Sequence, residues 1–426
     1  MKKFLLIAGI IFSLSILQFP QNINGRFSSS VYMFKQFDAV NSSDNFVRAY
    51  EMLNLNVNYS QFSLRTSINL ESDLSKKIDN SPLVRFYNFY LEGKDLFKVA
   101  NVKLGRQPVF NSIGGGIFDG ATIDLRIPDY KLTAYYGGNV PAYQKFETSK
   151  NWKDNYLAGG KLSGQPFENF QVDLSYAQKN VKPEDYYATR FDQNLNPITV
   201  LIQNNSTHFQ FASAQVSYTM PKYFNANVRY DYDLNFEKTS KFEFEGRYSQ
   251  ITDIGIDVYY NYREPRINYN SIFSVFDYGN SQEIEAGVDY KINSLFTAIG
   301  KFGFVQFKTE DSKRITLGIN SNYGNVTYRK TLGSAGELDA LSLYAAYALF
   351  EGLLTPSAGI SYTSYKLSEF STKDNLTSLL FGVNVRPYNT LSFDAQGQYM
   401  NNKIYKNDFR FFLKLNYWFN TNLNLL

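Results

Sequence analysis

An alternation of apolar and polar residues with a period of two is the feature that most constrains this chain of 426 residues. In the stretch IGIDVYYNY, which begins at Ile254, successive strand side chains would point to opposite faces. One face would carry Asp257 and Asn261, and the other would be apolar: Ile254, Ile256, Val258, Tyr260 and Tyr262. The apolar face of such a strand meets either a second sheet, as in a soluble sandwich, or lipid, as in a membrane barrel.

The connections between alternating segments favour the barrel. Short ones such as Pro128–Asp129 and Asn293–Ser294 alternate along the chain with longer ones such as Glu71–Pro82 and Lys179–Ser206. The segments are roughly ten residues long, which suits strands that cross a bilayer at a tilt of about 40°. The pattern predicts an all-β fold: a single transmembrane antiparallel up-and-down barrel of about 22 strands (range about 18 to 22), with short periplasmic turns and longer extracellular loops. A run of secreted sandwiches or a propeller is the alternative, but the chain has no fixed repeat and no linker.

The first residues read as a secretory signal. Lys2 and Lys3 precede an apolar run from residue 4 to 17, and the small Gly25 stands before Arg26. The run is shorter than the roughly 20 residues of a transmembrane helix. We therefore expect residues 1–25 to be a signal peptide, residues 26–426 to form the barrel, and the chain to be exported to the bacterial outer membrane.

Composition argues against several functional classes. The chain has no Cys and a single His, His208, so disulfides, Cys-ligated zinc and multi-histidine metal centres are excluded. With 43 basic and 39 acidic residues, no nucleic-acid partner is indicated. His208 could serve as the base of an outer-membrane hydrolase, but no partner is suggested by spacing. The sequence thus predicts no enzyme, no cofactor and no metal.

Two stretches resemble a known family, the porin-like outer-membrane β-barrels of Gram-negative bacteria. Val102–Ile127, VKLGRQPVFNSIGGGIFDGATIDLRI, is similar to the strand, Gly-rich loop and Asp-Gly strand start of several such barrels. The alternating aromatic segment that ends at Phe419 looks like the final strand that the assembly machinery recognises, although NTNLNLL follows it here. The resemblance implies an outer-membrane barrel embedded in lipid.

Lumen size separates two functional hypotheses. Barrels of 16 to 18 strands leave a water channel, and known 22-stranded transporters are plugged, yet no separate plug domain precedes the strands here. The first hypothesis is a porin or channel for diffusion of small polar solutes or ions. The alternative is a sheath or translocon component whose lumen holds a protein partner, of the secretion or electron-conduit type.

Two connections are candidates for narrowing the lumen or contacting ligands. Gln107–Asp119 contains three consecutive glycines, whose freedom at positive φ would let the loop fold back into the pore. The constriction-loop candidates are Gly114, Gly115, Gly116 and Asp119. Lys179–Ser206 is the longest connection and the better candidate for external ligands. For both, an ordinary surface loop is the alternative.

The predicted lumen faces carry charges that could set ion selectivity. The selectivity candidates from the earlier strands are Arg48, Arg65 and Arg126. Those from the later strands are Arg229, Asp231, Asp233, Glu243, Glu245, Arg247, Asp257, Glu285 and Asp289. Opposed walls of unlike charge would discriminate among ions; alternatively, the charges pair across strands and keep the wall hydrated.

Overall fold

The computed structural model is a closed β-barrel. It describes residues 21–37, 43–77, 81–141, 147–182, 185–203, 207–267, 279–308, 310–333, 337–366, 370–403 and 406–423. Twenty-two strands form one antiparallel sheet in which each strand pairs with its neighbours along the chain, and the first strand pairs with the last. The predicted strand number and up-and-down architecture are confirmed.

The strands run in chain order as follows. They are β1 Gln21–Phe37, β2 Ser43–Tyr59, β3 Phe62–Asp73, β4 Leu83–Leu96, β5 Ala100–Val109, β6 Gly116–Ile127, β7 Tyr130–Val140, β8 Tyr156–Phe167, β9 Phe170–Val181, β10 Tyr186–Phe191, β11 Pro197–Ile202, β12 Thr207–Met220, β13 Phe224–Asp233, β14 Lys238–Tyr248, β15 Ile254–Arg263, β16 Ser281–Lys291, β17 Phe296–Gln306, β18 Asp311–Ser321, β19 Gly324–Leu332, β20 Glu337–Ala346, β21 Leu354–Lys366, β22 Asp374–Tyr388, β23 Leu391–Asn401 and β24 Asp408–Leu423. A 3-10 turn at Phe350–Gly352 precedes β21. No helix among the described residues is long and apolar enough to cross a bilayer.

The two rims of the barrel differ as the connection lengths predict. One rim, here the turn rim, holds the short connections, such as Ser60–Gln61 between β2 and β3, together with the start of β1 and the end of β24. The opposite rim, the loop rim, holds the longer connections. One of these, between β9 and β12, contains the hairpin of β10 and β11, whose strands form a separate two-stranded sheet.

The barrel begins before its predicted start at Arg26, and its last strand continues past Phe419. β1 begins at Gln21, and Gln21–Gly25 pair with β2 and β24, although these residues were assigned to the signal peptide. β24 continues past Phe419 to Leu423, so part of the polar tail is a strand. Residues 1–20 lie outside the described residues, so the signal peptide stays a prediction, but Gln21–Gly25 belong to the wall of the barrel.

The two faces of the wall differ in chemistry, as expected for β15. Along β16, Ile284 and Val288 are exposed, and they share their face with Val258, the neighbour of Ala286. The alternating residues Asp257 and Tyr259 make polar contacts on the other face. This is the pattern of a barrel with an apolar outer belt and a polar lumen.

Candidate functional site: the lumen wall and an inward connection

A chain of ion pairs lines the lumen face of β14 to β18. Arg247 contacts Asp257 at 3.3 Å and Asp289 at 2.7 Å. Lys301 contacts Asp257 at 3.2 Å and Glu285 at 3.3 Å. Arg314 contacts Glu285 at 2.6 Å and also contacts Glu283. We call these seven residues the ion-pair strip.

A second cluster lies nearer the loop rim, around Asp231. Arg229 donates to both oxygens of this carboxylate, at 2.9 Å from Nε and 2.6 Å from Nη2. Ser213 Oγ donates to it at 2.7 Å, and Arg266, beyond β15, lies 3.4 Å away. Asp231 is fully buried. Two guanidinium groups therefore contact one carboxylate. Their other N–H groups can donate to further acceptors.

Those N–H groups hold the connection between β5 and β6. Arg229 Nη2 donates to the carbonyl oxygen of Ser112 at 2.5 Å, and Arg266 Nη1 donates to that of Ile113 at 3.1 Å. The Ile113 side chain is only 1% exposed and packs against Ala177 and Phe211.

This connection, residues 110–115, crosses the interior of the barrel. β6 and β13 are five strands apart along the wall, so a contact between Ser112 and Arg229 joins distant parts of the sheet. Ala177 and Phe211 face each other in the pairing of β9 with β12. The guanidinium of Arg266 also lies over the Phe211 ring, 4.9 Å from its centroid, where a cation is attracted to the π face. We call residues 110–115 the inward connection.

The glycines contribute differently from the sequence-based expectation. Gly114, Gly115 and Gly116 all have ordinary φ values, so positive φ is not the reason for this backbone path. A Cβ at Gly115 would lie 2.9 Å from the carbonyl oxygen of Val109, and one at Gly114 would lie 3.6 Å from the Cβ of Ala177. Close approach of the backbone explains Gly115. Gly116 is already the first residue of β6.

Asp119 was expected in a constriction loop, and this expectation is wrong because it lies within β6. It shares its face with Ala121 and the exposed Ile123, which is the outer face of the wall. Arg106 makes a bidentate ion pair with it, at 2.7 and 2.9 Å. The segment after β7 covers the pair, because the Ser149 N–H donates to Asp119 at 2.7 Å and Arg106 donates to the carbonyl oxygen of Glu147 at 2.6 Å.

The remaining predicted lumen charges are mostly paired. Arg48 contacts Asp73 at 2.7 Å, Arg65 contacts Glu92 at 3.0 Å, and Arg126 contacts Asp95 at 3.0 Å. Glu243 contacts Lys241 at 2.5 Å and accepts a hydrogen bond from Tyr259. Asp233 accepts from the backbone of the following turn, at Asn235 and Phe236.

Glu245 differs from these charges. It is exposed in the lumen, and no ion pair or hydrogen bond of its side chain is found in the described part of the chain.

Sequence reasoning missed four cations that pair with the predicted carboxylates: Lys241, Arg266, Lys301 and Arg314. Extending the alternation through FTAIGKFGFVQ and DSKRITLGINS would have placed Lys301 and Arg314 on the lumen face.

His208 lies near the loop-rim end of β12. Its Nε2 is 2.9 Å from the side-chain nitrogen of Gln178, and Gln178 in turn contacts the hydroxyl of Tyr156. Within the described ranges, no carboxylate or Ser hydroxyl is in contact with the ring, so these contacts form no catalytic triad.

The closed barrel and its polar lumen define the architecture of an outer-membrane β-barrel. No protein-family model and no curated protein matches the sequence. Solved structures do match. A chain of the E. coli P pilus tip assembly intermediate PapC-PapD-PapK-PapG has a TM-score of 0.53 and 9% identity, over 92% of this chain and 61% of that chain.

Other solved barrels show weaker similarity. The P pilus usher (PapC) translocation pore gives a TM-score of 0.45 and 9% identity, over 93% of this chain and 99% of that chain. OccAB4 of Acinetobacter baumannii gives 0.43 and 10% identity, over 95% and 99%. At this identity the likeness concerns the fold alone.

Proposed function

We propose that this chain is an outer-membrane channel through which small polar solutes or ions diffuse, and that the inward connection forms its constriction. The observation that carries the proposal is the attachment of residues 110–115 across the interior by Arg229 and Arg266. The lumen wall supports it, because its alternating charges keep the surface hydrated while their pairing limits the net charge. The turn rim would face the periplasm and the loop rim the outside.

The test is single-channel conductance of the purified chain, residues 21–426, in a planar bilayer. The wild type should show a stable conducting state. Ile113→Gly removes the side chain that packs on Ala177 and Phe211, and it should raise the conductance or its fluctuations because the inward connection is released from the wall. The matched control is Leu195→Gly in the exposed turn between β10 and β11, which should conduct as the wild type does.

A barrel that holds a protein partner is the second candidate, and the hairpin of β10 and β11 favours it. Tyr187 is 73% exposed, Phe191 68% and Leu195 78%. Large apolar side chains exposed together are characteristic of interaction surfaces. A correctly folded wild type that never conducts would favour this candidate over free diffusion.

A further inference from the structure

The lumen wall contains a recess of about 720 Å³ beside the ion-pair strip. The recess extends along the inner face from β12 to β18. Its polar lining includes Asn227, Glu245, Asp257, Tyr259, Lys301 and Arg314. A volume of this size admits a monosaccharide-sized molecule together with water.

The recess is net negative. Its charged lining consists of four carboxylates, Glu245, Asp257, Glu283 and Glu285, and three cations, Arg247, Lys301 and Arg314. The cations are all engaged in the ion-pair strip. Within the strip these three cations already face four carboxylates, because Arg247 also contacts Asp289. The strip therefore has no excess positive charge to neutralise Glu245, whose side chain is exposed to the recess.

The neighbours of Glu245 do not neutralise it. In the strand pairing it faces Tyr259 on β15 and Asn227 on β13. The Tyr259 hydroxyl donates to Glu243 instead, at 3.2 Å. The side-chain oxygen of Asn227 accepts hydrogen bonds from Gln215 at 3.0 Å and from Ser217 at 2.9 Å. The side-chain NH2 group of Asn227 can therefore donate to a bound solute. The carboxylate of Glu245 thus lies beside a neutral donor, Asn227, and an aromatic residue, Tyr259.

We infer that this recess is a binding subsite for polar solutes that carry a primary ammonium group and hydroxyls, the class of amino sugars. Glu245 would receive the ammonium group through charge-assisted hydrogen bonds, and Asn227 would donate to a hydroxyl. The inference rests on the proposed channel function. Binding should be weak, because the site is open to water and a conducting site has to release its solute.

The experiment compares two sugars that differ in charge at one nitrogen. Glucosamine, added to a conducting bilayer at pH 7, should reduce or interrupt the current in proportion to its concentration, whereas N-acetylglucosamine should have no such effect at tenfold higher concentration. Glu245→Gln should weaken the glucosamine effect at least tenfold. Glu71→Gln is the control, because Glu71 is a carboxylate that pairs with Arg85 on another part of the wall, and it should retain the effect within twofold.

A second measurement separates the failure of this inference from the failure of the channel proposal. Saturation-transfer NMR on the detergent-solubilised barrel detects bound sugar without any conduction, and it should show glucosamine binding that is lost in Glu245→Gln. Equal signals from both sugars, or an unchanged signal in Glu245→Gln, would overturn the inference even if the wild type conducts. Glu245→Gln could instead change the potassium-over-chloride preference and leave the block by glucosamine unchanged. That result would assign Glu245 to inorganic cations and would also overturn the inference.

Discussion

Ser29 on β1 donates a hydrogen bond from its Oγ to Oε1 of Glu51 on β2, at 2.8 Å, on the outer face of the barrel. Ser29 shares its face with Phe27 and Met33, which are both exposed. Glu51 stands between Ala49 and Leu53 in an outward row that is otherwise apolar from Val47 to Val57. Its second oxygen, Oε2, is enclosed and has no hydrogen-bond partner within the described part of the chain. A carboxylate in the lipid-facing belt has to be desolvated, and a single hydroxyl offsets little of that cost.

Replacing Glu51 should therefore stabilise the barrel. We expect Glu51→Leu to raise the free energy of unfolding by about 1 to 2 kcal/mol, since it removes an incompletely paired polar group from the lipid face. Urea unfolding from lipid vesicles measures the change. Ser29→Ala should act in the opposite direction, because it removes the donor and leaves the carboxylate in place. A destabilised Glu51→Leu variant would show that the carboxylate has a partner in the folded membrane state.

Adding a charge to the outer face, instead of removing one, tests the orientation of β15. Val258→Arg introduces a charge into the outer belt, and it should cost about 2 to 4 kcal/mol if the position lies near the membrane midplane. Ser342→Arg is the control, because Ser342 pairs with Thr327 and Ser361 on the lumen face, where water solvates the guanidinium. Equal costs at the two positions would contradict the assignment of faces.

The ion pair of Arg106 and Asp119 should be a large local contribution to stability. Both side chains are nearly buried, at 7% and 11% exposure, so removal of either partner leaves the other charge nearly buried without this ion pair. We expect Asp119→Asn and Arg106→Gln each to lower the free energy of unfolding by about 3 to 5 kcal/mol. The double variant should lose less than the sum of the two, and additive losses in a double-mutant cycle would mean that the two side chains are not coupled.

Ion selectivity should respond to the carboxylates of the lumen wall. Joint replacement of Glu243, Glu245 and Asp257 by their amides should lower the cation preference, because it leaves Lys241, Arg247 and Lys301 with fewer anionic neighbours. The reversal potential in a salt gradient gives the readout. An unchanged reversal potential would indicate that the paired wall charges do not set selectivity.

The turn between β10 and β11 should be sensitive to acid. Hydrogen bonds from the backbone and side chain of Asn196, and from the backbone of Asn194, hold the pKa of Asp192 below its ordinary value. Because the pKa in the folded state lies below that in the unfolded state, the stabilisation is complete above the ordinary carboxyl pKa of about 3.9 and is lost as the pH falls through the folded value.

Amide hydrogen exchange across the hairpin, corrected for intrinsic rates, should accordingly increase in strong acid. Asp192→Asn should remove this dependence, because the amide does not titrate in that range. Exchange that depends on pH equally in both variants would assign the effect to another group.

The sequence predicted the barrel well because its two signals are local. Alternation specifies the two faces of a strand such as Ile254–Arg263, and a short turn such as Pro128–Asp129 specifies antiparallel neighbours. The hairpin of β10 and β11 was missed, since PITVLI is a short apolar run inside what reads as a long loop.

The site could be predicted only in part, because its geometry depends on contacts between distant segments. Alternation placed Asp257 and Glu285 on the lumen face, but register and side-chain reach decide that Lys301 lies between them. The direction of the inward connection depends on Arg229 and Arg266, which are 117 and 153 residues away from their acceptors. No local pattern around Ile113 contains that information.

The pairing of β1 with β24 also sets the order of assembly. Residues 21–33 meet residues 411–423, which are about as far apart along the sequence as the chain allows. Closing so long a loop has a high entropic cost, so this seam should be the last joint of the wall to form. Until then both strands present open edges that can pair with other chains. Protein that has not yet closed its wall should therefore aggregate through these two edges, and a change that weakens the pairing of β1 with β24 should appear first as aggregation rather than as an altered pore.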